Sequence, residues 1–466
     1  HSTIENGEPG SRGPGGGKGD VMRQEPLEGN TAETPRFGEV STKQQRIAKL
    51  ARQHPEQALT NLHHYIDENW LRVAFEWTRK DGAAGIDGQT AEEYERDLAG
   101  NLQRLLGEIK SGRYVAPAVK RVHIPKEKDK TRPIGIPTFE DKVAQRAILM
   151  VLEPVFEVDF LDFSFGFRPG RSAHQALRKL RSSIMDRGGR WVLDADIKGY
   201  FDHIDHGKLR ECLRQRVTDG VIVRMLDKWL AAGVLEQRQW HRARRGTPQG
   251  GVISPLLANV YLHECLDQWF TKQVQPRLKA RSSIVRFADD AVLVFEDFLD
   301  CVRVLQVLPK RMARYGLELH PEKTRMVDFR FKRPNGVHPR CEGKSFDFLG
   351  FTHYWGRSRR GKAVVFQKTA KDRYARALRA IHQWCKWHRH DSLKSQHEAL
   401  SRKMQGHYAY YGITGNGERL RWFAHQVERI WRYWLSNRSR KSHIDWERFR
   451  GMLERHPLPR PRIVHR

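Results

Sequence analysis

Phe287-Ala288-Asp289-Asp290 lies between two apolar runs, Ile284-Val285 and Ala291-Val292-Leu293-Val294-Phe295. Short β-rich runs on either side of a polar pair predict a β-hairpin with the acids at its tip. Adjacent carboxylates repel one another and are costly to bury unless a cation compensates them. A divalent metal is one such cation, because hard ions take carboxylate oxygens. An Asp-Asp pair alone reads as a solvated turn; the apolar flanks argue for a site.

A second acidic strand lies upstream, Trp191-Val192-Leu193-Asp194-Ala195-Asp196-Ile197, running into Lys198-Gly199-Tyr200-Phe201-Asp202. Two such strands, brought together, can hold two metal ions about 3.5–4 Å apart, which clamps the attacking and leaving oxygens of a phosphoryl transfer. Asp194 and Asp196 share strand parity and so one face. Between the two strands lies Gly246-Thr247-Pro248-Gln249-Gly250-Gly251-Val252-Ile253-Ser254-Pro255-Leu256-Leu257. In this order, the Asp196 strand, the Pro248-Gln249-Gly250 loop and the acidic hairpin resemble a reverse transcriptase palm. More narrowly, they resemble the reverse transcriptase/maturase encoded by bacterial group II introns. That family usually carries Tyr where this chain has Phe287. The ring is kept and a hydroxyl lost, so the expectation is altered fine tuning with the chemistry intact.

Composition agrees with a nucleic-acid partner. The 466 residues carry a net charge of +29, a field that favours polyanions. The length allows two or three domains with real cores. No run of 18 or more apolar residues occurs, so no membrane span is expected. Cys212, Cys265, Cys301, Cys341 and Cys385 are odd in number and scattered, which argues against a disulfide framework or a cysteine zinc site. Many group II intron proteins end in an endonuclease domain with paired cysteines and histidines. The resemblance here is to the endonuclease-less type, in a bacterial cytoplasm and nucleoid-associated when on DNA.

Residues 1–40, rich in Gly, Pro, Glu and Ser, read as disordered. A helical pattern begins near Lys43 and opens an N-terminal extension of the fingers, 41–110. Fingers and palm are expected over 111–360. There Val122-His123-Ile124-Pro125 and Thr131-Arg132-Pro133-Ile134-Gly135-Ile136 flank a basic turn and predict a hairpin. The resemblance puts Lys126 and Arg132 on the incoming triphosphate, with Lys128 and Lys130 as rivals. Arg offers phosphate a planar fork and Lys a point charge. Helices are expected over 140–155, from about Ser172, and over 255–266 and 301–315.

By resemblance, Asp196, Asp289 and Asp290 are catalytic and hold two Mg2+ ions, with the Ile197 backbone in the metal set and Asp194 as fallback. Phe201 takes the place of the aromatic that excludes a 2′-hydroxyl; a core Phe is the alternative. Gln249 positions template or primer in a loop whose glycines let backbone approach a ligand. Lys323 is a candidate general acid for the pyrophosphate leaving group, with a surface salt bridge as the alternative. Arg168 and Arg171, around a Pro-Gly turn, are assigned to nucleic acid, with a structural salt bridge as the alternative for either.

Residues 361–466 hold 24 Lys and Arg against 8 Asp and Glu, a net of +16. Leu420, Phe423, Val427, Ile430 and Trp434 fall at helical spacing, as do Tyr374, Leu378, Ile381 and Cys385. These stripes predict a helical bundle with a basic outer face carrying Arg373, Arg376, Arg421, Arg429 and Arg432. Such a face suits a duplex or a folded RNA. Gly406-His407-Tyr408-Ala409-Tyr410-Tyr411-Gly412-Ile413 resembles the family's thumb, or maturase domain, placed at 361–437. Residues 438–466 are expected to form a basic tail, a reduced DNA-binding segment.

The fold class expected is α+β, a right-hand polymerase with an antiparallel palm sheet and a helical thumb. The function expected is RNA-directed DNA synthesis, with binding of intron RNA to assist splicing and support mobility into target DNA. Two alternatives stand beside it. One is a domesticated reverse transcriptase in DNA repair or phage defence. The other is an RNA-binding splicing factor whose polymerase has decayed, against which the intact Asp196, Asp289 and Asp290 argue.

Overall fold

The computed structural model describes residues 36–125, 131–236, 239–241, 246, 250–333, 335–439 and 443–465. Its strands are β1 (Val119–Pro125), β2 (Thr131–Ile136), β3 (Trp191–Ala195), β4 (Val234–Glu236), β5 (Gln239–His241), β6 (Ser282–Phe287), β7 (Asp290–Phe295), β8 (Arg325–Asp328), β9 (Phe346–Phe348), β10 (Phe351–Arg357) and β11 (Ala363–Thr369). They form three sheets, ordered β2-β1-β4-β5, β6-β7-β3-β8 and β11-β10-β9.

The second of these is the palm sheet. The acidic hairpin forms as the sequence predicts, with Phe287 paired to Asp290 and only Ala288 and Asp289 in its loop. Successive side chains of a strand point to opposite faces. Leu193, Ile284, Leu293 and Met326 enter one core, and Val192, Val285, Val292 and Val327 enter the other. Coverage on both faces is why these strands read as near-continuous apolar runs rather than alternating ones.

The first core joins palm to fingers. Helices Phe37–Gln53, Glu68–Glu76, Leu98–Ser111 and Phe139–Phe156 contribute to it. Thr138 caps the last of these by accepting from the Asp141 backbone N–H. Helix Phe37–Gln53 starts a few residues earlier than the disordered segment was expected to end. The second core packs helix Ala173–Met185 and the β9–β11 sheet on the other palm face. Ser172 and Gln175 form a capping box at the start of that helix, where the sequence predicts a helix start.

The thumb comprises Lys371–Trp387, Leu393–Tyr411 and Gly417–Ser436. Ile381, Cys385, Leu420, Phe423 and Val427 face its core, so the stripes are core as read. Because β11 occupies 363–369, the helical part begins at Lys371. Beyond it, helix Trp446–Arg455 buries Phe449 and Met452 in the same core. The Gly412 carbonyl accepts from the backbone N–H of Val464 at 2.7 Å and of His465 at 2.9 Å. Residues 443–465 are therefore folded onto the thumb. All five cysteines are free thiols, and four are buried. Among the described residues no helix is long and apolar enough to cross a membrane.

Candidate active site

β3 runs antiparallel to β7 with Ala195 opposite Ala291. One step further, this register sets Asp196 against Asp290, at the rim where the β6–β7 loop ends. The two acidic segments of the sequence thus meet at one end of one sheet. Asp289 is half-buried and Asp290 exposed, so both are open to a ligand.

Asp196 is fixed from the side by residues 320–324. Its carbonyl accepts from the His320 N–H at 2.7 Å, and its own N–H donates to Thr324 Oγ1 at 3.4 Å. Lys323 Nζ lies 2.9 Å from Asp196 Oδ2. Lys323 is thus an ion-pair partner of Asp196. The bridge between Ile197 and Leu319 runs its hydrogen bonds through the Asp196 carbonyl and the Lys198 N–H, not through Ile197.

Asp194 sits on β3 opposite Arg325, with Oδ2 3.6 Å from Nε. Burial pushes its carboxyl up to about 7; Asp290 and Asp196 push the same way, against the pull of Arg325. Three carboxylates are thus near enough to repel one another. Hard oxygen donors with mutual repulsion suit a divalent cation. Among the described residues no three His, Cys, Asp or Glu side chains are grouped so as to hold a metal ion; the Asp196 carboxylate is instead paired with Lys323.

Phe201 is buried in the short helix Tyr200–His203, just after the Asp196 turn, with its ring edge-on to Tyr200. Lys126, with its rivals Lys128 and Lys130, and Gln249 lie outside the described residues. So does the Arg132 side chain, although its backbone pairs with Ile124 in the expected hairpin. Gly250, beside Gln249, has a φ of +111°, and a Cβ there would meet the Gly135 carbonyl oxygen at 2.4 Å. The loop's close approach is thus to the β1–β2 hairpin, and only glycine permits it.

Arg168 takes the alternative given for it, a structural salt bridge. It is buried, its Nε and Nη2 grip the Glu157 carboxylate, and its Nη1 donates to the carbonyls of Leu161 and Ser164 at 2.7 Å each. The guanidinium ties the loop together instead of reaching a nucleic acid. Arg171 stays half-exposed, 3.2 Å from Asp162. Arg373 and Arg376 lie 3.5 and 4.0 Å from Asp372. Arg421 and Arg429 are exposed on the thumb. Arg432 turns inward, donating to the Ile444 carbonyl and stacking over Trp446.

Sequence reasoning passed over the residues behind the acidic loop: Gly166, Asn259, Asp267 and Arg286. A Cβ on Gly166 would lie 2.2 Å from the Ala288 backbone nitrogen. The signal was present, since an Arg inside an apolar strand demands a buried acid.

The family model described as reverse transcriptase (RNA-dependent DNA polymerase) matches residues 124–353. Protein YkfC of Escherichia coli K12 is 36% identical over 289 residues, 55% of this chain and 75% of that protein. The group II intron-encoded protein LtrA of Lactococcus lactis is 37% identical over 225 residues, 47% of this chain and 37% of LtrA. A solved telomerase structure from Candida albicans overlays 78% of this chain and 65% of its own at 15% identity and a TM-score of 0.40, too loose to argue from. The chain belongs to the reverse transcriptase family and is similar to a protein encoded by a group II intron.

Proposed function

We propose that this chain joins a primer 3′-hydroxyl to the α-phosphate of a deoxynucleotide, copying RNA into DNA at Asp196, Asp289 and Asp290. The observation that carries the reading is the palm register, which brings the end of β3 and the β6–β7 loop to one rim. These carboxylates and the Ile197 backbone would hold two Mg2+ ions, the metal to which hard oxygen donors at a phosphoryl centre are suited. When bound, the metal lowers the pKa of the attacking hydroxyl and stabilises charge on the transferring phosphoryl group.

The chain's own groups do the rest. Lys323, within 2.9 Å of Asp196, neutralises that carboxylate and carries a proton for the leaving pyrophosphate. Lys126 and Arg132 grip the triphosphate, Phe201 excludes a 2′-hydroxyl from the sugar site, and Gln249 orders template or primer. Arg171, Arg373, Arg376, Arg421 and Arg429 contact phosphates of the duplex.

The basic thumb has a second role, holding a group II intron RNA in its active fold while the RNA does the splicing chemistry. The protein would then act in a bacterial cytoplasm and carry the intron to target DNA. The charge of residues 361–466 supports this. Primer extension on an RNA template with deoxynucleotides and Mg2+ tests the first role. Synthesis by the parent and its loss in Asp196→Ala are expected; equal synthesis by both would remove the assignment. For the second, binding to intron RNA no tighter than to an unrelated structured RNA at physiological salt would end the proposal.

A further inference from the structure

β6 carries one charged side chain into the interior, Arg286, which is fully buried. Its Nε donates to Asp267 Oδ1 at 2.8 Å and its Nη2 donates to Asp267 Oδ2. Its Nη1 donates to Asn259 Oδ1 and to the Ala288 carbonyl, both at 3.0 Å. Asp267 and Asn259 are buried as well. The Asn259 amide donates to the Gly166 carbonyl at 2.7 Å. The Arg286 backbone is also held, its N–H by the Phe163 carbonyl at 2.8 Å and its carbonyl by the Phe165 N–H at 2.9 Å.

Stability does not account for this network. A buried ion pair is commonly no better for folding than an apolar pair of the same shape. An apolar pair cannot, however, hold the Ala288 carbonyl. Ala288 has a φ of +55°, a conformation that a non-glycine residue keeps only where its surroundings fix it. Its loop partner is Asp289, and Asp290 follows. The helical run bearing Asn259 turns π-helical over His263–Gln268, where Asp267 lies; such turns concentrate at functional sites.

We propose that Arg286 is a positioning residue: it clamps the loop bearing Asp289 and Asp290 through the Ala288 carbonyl, while Asp267 and Asn259 fix its guanidinium. This rests on the polymerase reading of those acids. Arg suits the task because its rigid fork reaches three partners at once, which a Lys ammonium at the end of a flexible stem does not.

The test compares the parent with Arg286→Met combined with Asp267→Leu, with Arg286→Lys and with Asn259→Ala. Two readouts apply: single-turnover deoxynucleotide incorporation, and amide hydrogen exchange of the peptide spanning residues 285–293. In the combined variant the maximal rate is expected to fall about 100-fold, the scale of a displaced reacting group. The nucleotide concentration giving half-maximal rate should stay within about threefold. Exchange should quicken in the loop and stay unchanged in the thumb. Arg286→Lys should leave the rate low. A folded combined variant with the parent's rate and loop exchange overturns the proposal. If that variant does not fold, Asn259→Ala decides, since it leaves the ion pair in place: a slower rate with faster loop exchange supports the clamp, and parental values for both overturn it. A parent that incorporates nothing would refute the polymerase reading, and loop exchange in the variants would still report on the clamp.

Discussion

Gly166→Ala places one methyl group against the acidic loop, and its consequence follows from distances. The new Cβ would lie 2.2 Å from the Ala288 nitrogen, 2.9 Å from the Phe287 carbonyl carbon and 3.0 Å from the Ala288 Cα. Ordinary contact begins at 3.4 Å, so the two segments must part by about 1.2 Å. The obstacle is backbone on both sides, held by the Phe163, Phe165 and Asn259 hydrogen bonds, so no side chain can swing away. Gly166 itself has an ordinary φ, and the effect is steric alone. Overpacking of this kind costs roughly 1–3 kcal/mol of stability. Displacing reacting groups by about 1 Å costs on the order of 100-fold in rate, which is about 2.7 kcal/mol of barrier. Single-turnover incorporation beside a thermal melt and an RNA-binding titration separates the terms. The expected outcome is a folded, RNA-binding protein whose incorporation is slowed about 100-fold. Incorporation within threefold of the parent would refute the claim that the position of this loop limits the chemistry.

Three further outcomes are expected. Burial depresses His353 to about 3, below its unfolded value near 6.5. Its contribution is therefore intact above about pH 6.5 and lost as pH falls toward 3. His353→Leu should recover about 2 kcal/mol of the stability lost between pH 8 and pH 5, as read by denaturant melts at both. Asp219 accepts from the backbone N–H groups of Val221, Ile222 and His63, so Asp219→Ala should lower unfolding free energy by about 2 kcal/mol, the upper end for a lost cap. Phe201→Ala should raise incorporation of ribonucleotides relative to deoxynucleotides roughly tenfold or more, the scale of discrimination by a fitted pocket; an unchanged ratio would return Phe201 to the core alone.

The acidic hairpin was legible because a polar pair between apolar β-rich runs has few other solutions. The thumb was legible because its stripes repeat at helical spacing. Arg168 was not, since a Pro-Gly turn beside arginines looks the same from sequence whether the guanidinium faces solvent or curls back onto Glu157. Arg286 was missed for the converse reason. Its partners Asn259 and Asp267 lie on a distant helix, and only the fold brings them to the strand. The tail's docking was equally hidden, because the apolar content of residues 438–466 is low and Phe449 and Met452 become core only against the thumb.

At the proposed active site, two turns form one metal-dependent centre. Anomalous diffraction from crystals of the protein with primer, RNA template and deoxynucleotide, grown with Mn2+, tests this most directly. Manganese peaks are expected between the Asp196 carboxylate and the Asp289–Asp290 loop, with Lys323 moved off Asp196. Manganese absent from that rim, with Lys323 still paired to Asp196 in the presence of nucleotide, would contradict it.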